Sequence, residues 1–432
     1  MNWILAWRNL WRNWRRSIVM VASIAVGFMA LGLFAGYTKS IYVGLGNVAV
    51  HGELTGHLMI NKRGWLTQGR LEPARYMLTP DDLARAERII RTELPQAYLV
   101  PRMGSFGLLS NGKSSTIFVG EGVDPDDLQV LQGPFNGGAR PLPSGQGAVT
   151  ILAEGLGQIL NLKRGDYGTM LVSTLHGQVN AMDVDVHDTL NSGNVATNDK
   201  LLLLPLSGTR TLLDAPGMAD RLTVLFTKEL VQDNSPLQSS TRMQRIYVKE
   251  NPGEAATAGM RDRLTAAFRA NGLDLEVRTW QEVSAFYRQI KGIYDITYVL
   301  MLAVVLAVVI LSVANSMSMA VIERTREIGT LRALGMTPAA VVKLFMKESA
   351  IMVVLGIGSG LALMLAARYG VNLADIRYVP PANTLAIPLH VGLDVLNTVL
   401  VAIFLCLLSS LATWLPALRA ARQPIPNSLG HV

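Results

Sequence analysis

The chain has 432 residues, half of them apolar, and only 16 % carry charge, against about 25 % in soluble domains, which argues against a wholly soluble protein. The net charge of +7 suits nucleic acid only with a basic stripe and stacking aromatics, whereas here the arginines crowd the ends of apolar runs. Cys406 is the only cysteine, so no intramolecular disulfide is possible and cysteine usage says nothing of the redox compartment.

Residues 1–17 predict an interfacial amphipathic helix. Trp3, Trp7, Leu10, Trp11 and Trp14 share one helical face at spacings of three and four, and Arg8, Arg12, Arg15 and Arg16 lie mostly on the other. Indoles then sit at headgroup level and guanidiniums toward anionic lipid, so membrane lipid is the first predicted partner. Residues 18–37 hold no charge and have the roughly 20 residues that cross a bilayer core. Their apolar run is longer than that of a signal peptide, about 7–15 residues, which favours an uncleaved anchor.

Residues 38–294 predict a large α+β domain. A strand-like stretch at Gly56–Asn61, a helix over Pro80–Glu93 with Thr79 as N-cap, and a strand ending near Phe106 make one β-α-β unit. A strand at Arg245–Lys249, a helix from Glu254 to Asn271 ended by Gly272, and a strand at Leu275–Arg278 make a second. Between them, residues 118–226 are rich in Gly, Pro and alternating residues and read as an inserted β-rich subdomain, with Leu201–Leu206 as a buried strand and Gly133–Gly147 as a loop.

Three more spans follow, at 295–319, 349–367 and 393–415, separated by a loop at 320–348 and a short one at 368–392, with a tail at 416–432. The fold class expected is therefore an α-helical membrane protein with four transmembrane helices and a large α+β extracytoplasmic domain. Lys and Arg set the orientation. Arg8, Arg12, Arg15 and Arg16 precede the first span, and Arg324, Arg326, Arg332, Lys343 and Lys347 lie between the second and third. Arg419 and Arg422 follow the fourth, whereas the loop of 368–392 has only Arg368 and Arg377. Both termini and the 320–348 loop are thus expected in the cytoplasm, and the large domain outside. Gly32 and Gly36 in the first span, and Gly356 and Gly360 in the third, have the spacing that lets helix backbones approach closely, so at least one pair is expected at a helix–helix contact.

Two motifs need weighing. Gly107–Ser114 reads G-L-L-S-N-G-K-S and matches the phosphate-loop pattern, but a phosphate loop needs a helix after it. The strand-like Ser115–Val119 follows instead, and Asn111-Gly112 signals a hairpin turn. Asp183, Asp185, His187 and Asp188 resemble a metal cluster, but Met182, Val184 and Val186 alternate with them, as on a half-buried strand. No zinc spacing or nucleophile motif occurs, so no catalytic residue, metal or cofactor is expected.

The loop of 320–348 contains Glu323-Arg324-Thr325-Arg326-Glu327-Ile328-Gly329-Thr330-Leu331-Arg332-Ala333-Leu334-Gly335, then Met336-Thr337-Pro338. Ile328, Leu331 and Leu334 recur at three, Gly335 caps a helix, and Thr337-Pro338 starts another. Such a helix is either a plain connector or a peg for a groove on a partner. The run E-R-T-R-E-I-G-T-L-R-A-L-G, with the third span opening near Glu348, closely resembles the FtsX-like permease domain of ABC transporters of the MacB and LolC/LolE type. Pro416–Arg422, the Arg-Asn-Leu pattern before the first span, and Glu154–Asp166 are similar to further parts of that family, whereas Gln423–Leu429 departs from it.

The resemblance implies a non-catalytic permease subunit in the inner membrane, with its large domain in the periplasm. It implies pairing with a second permease subunit, identical or related, and with a separate cytoplasmic ATPase dimer; a periplasmic acceptor or carrier is a further expected partner. Arg326, Glu327, Ile328, Leu331, Arg332, Leu334 and Gly335 become the ATPase-coupling segment, and ATP-driven motion passes to the outer domain by mechanotransmission. The work implied is export or extraction of hydrophobic or lipid-linked cargo such as lipoproteins. Alternatives are tripartite efflux, or FtsX-like regulation of periplasmic enzymes without transport. A membrane-anchored sensor or adhesion domain is the reading without an ATPase.

Overall fold

A computed structural model describes residues 14–69, 71–135, 139–143, 148–226, 251–379, 384 and 386–422. Trp3, Trp7 and Trp11, the strand expected at Arg245–Lys249 and the tail beyond Arg422 lie outside these residues. Internal contacts divide the chain into two units. One is Met1–Ser40 with Lys291–Ile376 and Leu389–Val432, and the other is Ile41–Ile290 with Arg377–Pro388.

Helix α1 runs Trp14–Asn47 and passes into a π-helical turn, Val48–Gly52. The second unit is then built on one nine-stranded sheet. In chain order its strands are β1 (Leu58–Lys62), β2 (Tyr98–Ser110), β3 (Ser115–Val123), β4 (Val149–Ala153), β5 (Tyr167–Ser173), β6 (Val179–Leu190), β7 (Leu201–Pro205), β8 (Arg221–Leu225) and β9 (Leu275–Thr279).

Helix α2 (Pro80–Glu93) joins β1 to β2. It starts where the sequence says, because the Thr79 side chain accepts from the Asp82 N–H and the Asp82 carboxylate accepts from the Thr79 N–H, a reciprocal cap that satisfies two orphan donors. Helix α3 (Glu254–Ala270) leads into β9. Ala86 and Ile90 of α2 and Leu264 and Phe268 of α3 pack with Leu58, Ile60, Leu222 and Val224 of the sheet. The helix-linked strands β1 and β2 are not neighbours. Strand β8 enters between them, antiparallel to both.

Strand β2 has 13 residues and so reaches two partners along one edge: β8 at Tyr98–Arg102 and β5 at Gly107–Ser110. Its other edge pairs with β3. Because the order runs β3–β7–β4–β6–β5–β2 and β2 pairs back onto β3, these strands close into a ring. The ring is filled by Met103, Phe118, Leu152, Met170, Val184 and Leu202. The β-rich insert expected at 118–226 is therefore not set apart from its host. Strand β2, from upstream of it, serves both halves of the sheet.

The Gly107–Ser114 motif is a hairpin. Ser110 pairs with Ser115, the Asn111 side chain accepts from the Lys113 and Ser114 N–H groups, and Gly112 takes φ +83°. Strand β6 buries Val184 and Val186 and keeps Asp183 exposed, where it accepts from Thr169. Among the described residues, no group of three or more His, Cys, Asp or Glu is placed to hold a metal ion.

The first unit is helical. After α1 come α4 (Ala285–Glu323), α5 (Thr325–Ala333), α6 (Pro338–Leu373) and α7 (Val395–Ala421). Among the described residues, α1, α4, α6 and α7 are long and apolar enough to cross a membrane. The expected spans of 18–37, 295–319 and 349–367 lie inside α1, α4 and α6, which run on past them because polar residues outside hydrocarbon still propagate a helix. The fourth starts two residues later than the expected 393, at Val395, where Asp394 accepts from the Asn397 N–H.

Met20, Ile24 and Phe28 of α1, Val309 and Val313 of α4, Phe345 and Met352 of α6 and Leu405 of α7 form one core. Leu311, Val354, Leu396 and Leu407 face outward, as lipid-facing side chains do. Gly32, Gly356 and Gly360 sit where α1 and α6 touch. A methyl group on Gly356 meets Ile24 Cβ at 2.7 Å, and one on Gly360 meets the Ala25 carbonyl oxygen at 2.7 Å. Gly32 lies against the Met364 side chain and Gly36 against the Gly392 carbonyl, with the Gly392 N–H donating to Gly36 O at 2.9 Å.

Candidate docking helix

Helix α5 occupies the loop between the second and third spans. Its bounds, Thr325–Ala333, start one residue before the expected Arg326–Gly335 and end two residues short of it. Its end is closed as the sequence predicts. Gly335, at φ +95°, donates to Arg332 O at 3.1 Å, and Met336 donates to Leu331 O at 3.0 Å, the two bonds of a glycine-capped helix end. Helix α6 then begins at once, with Pro338 in its first turn and the Thr337 hydroxyl accepting from the Ala340 N–H.

The faces of α5 correct one expectation. Ile328, grouped with Leu331 and Leu334 as partner-facing, is 6 % exposed and packs into the bundle core. Leu334 is 80 % exposed, and Leu331 is half-buried. The reason is helical geometry: a strict spacing of three turns back about 60° per step, so the apolar stripe winds round the helix. Thr325 and Gly329 share the inward side, while Arg326, Glu327, Thr330 and Ala333 face outward and Arg332 is half-buried. Of the indoles expected at the interface, only Trp14 is described. It is exposed, with the Arg15 guanidinium 5.8 Å from its ring centre.

Sequence reasoning passed over the tie that holds this helix. Arg324, the residue between α4 and α5, and Glu348 of α6 are both more than nine-tenths buried. Arg324 Nη1 lies 3.0 Å from each Glu348 carboxylate oxygen, its Nε donates to Glu327 Oε2 at 3.0 Å, and its guanidinium stands 5.7 Å from the Phe345 ring centre. Burial alone would pull the Arg324 pKa down, but Glu348 and Glu327 outweigh it and hold the group above its ordinary value. Deeper in the bundle, the Thr413 hydroxyl donates to Ser349 Oγ at 2.7 Å, joining α7 to α6 beside this pair.

A short amphipathic helix bracketed by two candidate spans, one face in the bundle and the other exposed, is thus the candidate site. Residues 299–425 match the family described as FtsX-like permease C-terminal. A stretch of 64 residues is 41 % identical to the ABC transporter permease YtrF of Bacillus subtilis (strain 168), covering 15 % of this chain and 15 % of that protein. The periplasmic region of MacB from Actinobacillus actinomycetemcomitans aligns with 53 % of this chain, and 91 % of its own length, at 14 % identity and a TM-score of 0.32.

Proposed function

We propose that the chain is the membrane-spanning subunit of an ABC transporter whose ATPase is a separate protein. In this reading two permease subunits, identical or related, engage two ATPase subunits in the cytoplasm. The Ile41–Ile290 domain stands in the periplasm of a cell with its spans in the inner membrane. ATP-driven motion taken up at α5 passes through the helices to that domain, and hydrophobic or lipid-linked cargo, lipoproteins among it, is the load. The observation that carries this reading is α5 itself: Ile328 roots it in the bundle, while Arg326, Glu327, Thr330 and Leu334 form an outward face.

Buried apolar anchors dominate interface energy, and truncating one costs about 2 kcal/mol or more. Leu334→Ala is therefore expected to weaken ATPase co-purification by roughly that amount, with Leu331→Ala close behind and Arg332→Ala affecting it less, as rim charges do. Membrane insertion stays normal in all three. Affinity capture of the ATPase, with permease-stimulated hydrolysis, reads the result. Normal binding and hydrolysis in both leucine variants would remove α5 from the docking role.

Topology has its own test, in a Cys406→Ser background. Lys113→Cys, at the hairpin tip, is expected to react with an impermeant maleimide in intact cells whose outer barrier is permeabilised. Thr330→Cys, on α5, reacts only once the inner membrane is opened. The reverse pattern inverts the orientation read from the arginines.

A further inference from the structure

We infer that the Arg324–Glu348 ion pair is the joint that makes α5 and α6 move as one piece, so that motion received at α5 enters the bundle through the third span. The inference rests on the docking reading above.

Beside the packing of Ile328 in the bundle core, a covalent link and an ionic one tie α5 to α6. The covalent one runs through Gly335, Met336 and Thr337. Gly335 sits at φ +95° with no atom within 4 Å of where a Cβ would stand, so little packing braces that turn. The other is ionic and stands at the opposite end of α5. Arg324 is the N-cap of α5, and its N–H donates to Val321 O at 3.2 Å, so it also closes α4. Its guanidinium reaches across to α6 and meets Glu348 one turn beyond Phe345, whose ring it faces. The same guanidinium holds Glu327, in the first turn of α5. One side chain thus fixes the junction of α4 and α5 to a point ten residues inside α6.

The chemistry suits a joint more than a glue. Taking two charges out of water offsets most of what their attraction returns, so a buried pair is weak evidence for stability; what it imposes is geometry. A charge-assisted pair with a planar guanidinium permits little sliding. Apolar contacts at Ile328 would let α5 roll on the bundle, and the ion pair resists that roll. A joint also has to be protected from water, and Arg324 and Glu348 are 8 % and 4 % exposed.

The test uses the full-length permease in lipid nanodiscs, in a Cys406→Ser background. Spin labels at Thr330→Cys on α5 and Val354→Cys on α6, without the ATPase, read the distance between the two helices, while ATPase binding and hydrolysis are measured on the unlabelled protein with its ATPase. A narrow distribution is expected for the parent. Single variants such as Glu348→Gln leave the buried Arg324 with only the more exposed Glu327 to balance it and are prone to misfold. The deciding variant is therefore Arg324→Gln/Glu348→Gln, which is neutral. It is expected to insert and to bind the ATPase as the parent does, yet to show a distance distribution at least about twice as wide and stimulated hydrolysis down about tenfold, within the range of coupling mutations. Arg324→Lys keeps the charge without the planar fork and should lose about threefold.

A merely structural pair would leave width and hydrolysis unchanged in the neutral double variant, and that result overturns the inference. So does a narrow distribution in Arg324→Gln/Glu348→Gln, whatever its hydrolysis. If the parent captures no ATPase, the docking reading fails, while the distance measurement still decides whether α5 and α6 are locked together.

Discussion

Gly360→Ala is expected to lower the thermal stability of the helical bundle sharply, while Gly358→Ala on the same helix leaves it unchanged or raises it. A Cβ at Gly360 would stand 2.7 Å from the Ala25 carbonyl oxygen and 3.0 Å from Ala25 Cα. Both are backbone atoms, so no rotamer change relieves the clash and α1 must back away from α6. That separation also loosens Ile24 and Phe28, which pack in the core the two helices share. Overpacking of this kind costs about 1–3 kcal/mol, and a contact with rigid backbone belongs at the upper end. Gly358 has no atom within 4 Å of its would-be Cβ, so alanine there brings only its better helix propensity, up to about 1 kcal/mol. Size-exclusion profiles after graded heating, in detergent and in nanodiscs, compare the two. Equal stability of both variants would show that α1 and α6 do not meet through Gly360.

Such contacts were half legible. The small-residue spacings of Gly32/Gly36 and Gly356/Gly360 marked faces, but spacing names no partner. That α1 meets α6 through Ile24, Ala25 and Phe28 depends on residues more than 300 positions apart. The spans themselves were legible because hydrocarbon demands an apolar run of fixed length, whatever else the chain does. Helix α5 was legible to within two residues because Gly335 and Thr337-Pro338 act locally. Its orientation was not, since Ile328 and Leu334 differ only in where a winding stripe meets the bundle. In the large domain, α2 and the β2–β3 hairpin were written in local signals, Thr79 and Asn111-Gly112. The ring of strands was not, because β2 pairs along one edge with β8 and β5, residues 59 or more positions away in the chain. Charged residues set among strand apolars, Arg102 between Pro101 and Met103 and Glu121 between two glycines, were the signal left unused.

Arg102→Met is expected to be the most damaging single change in that domain. Arg102 is 2 % exposed. Its guanidinium donates to Glu121 Oε2 at 2.7 Å and to the Leu54 carbonyl, where Leu54 holds φ +60°. It therefore ties β2 and β3 to the segment that leaves the π-helical turn. Arg221 of β8 donates to both Glu121 oxygens, at 2.8 and 2.6 Å, and lies 3.4 Å from Asp220, whose other oxygen accepts from the Gly104 N–H. Two guanidiniums and two carboxylates balance. Removing Arg102 leaves one carboxylate too many in a buried site, at a cost of about 3–5 kcal/mol. The double variant Arg102→Met/Glu121→Leu restores the balance as an Arg221–Asp220 pair and should regain most of that loss.

The pH response follows from Glu121. Burial alone would raise its pKa, but Arg102 and Arg221 outweigh burial and hold it below the ordinary value. A depressed carboxylate contributes stability that is complete above its unfolded pKa, about 4.3, and is lost as pH falls through the folded value. Asp220 works in the opposite sense. Burial raises its pKa, with Glu121 adding to the rise, so its ionisation costs stability as pH climbs past the unfolded value. Arg102→Met removes one of the two cations that depress Glu121, which moves its protonation to higher pH. The acid unfolding of the domain should then begin at higher pH than in the parent, on top of the loss at neutrality. Amide hydrogen exchange in β2, β3 and β8 of the full chain, at pH 7 and at pH 5, reads both effects locally. A double variant as unstable as Arg102→Met would mean that the bond to Leu54, and not the charge balance, is what this cluster supplies.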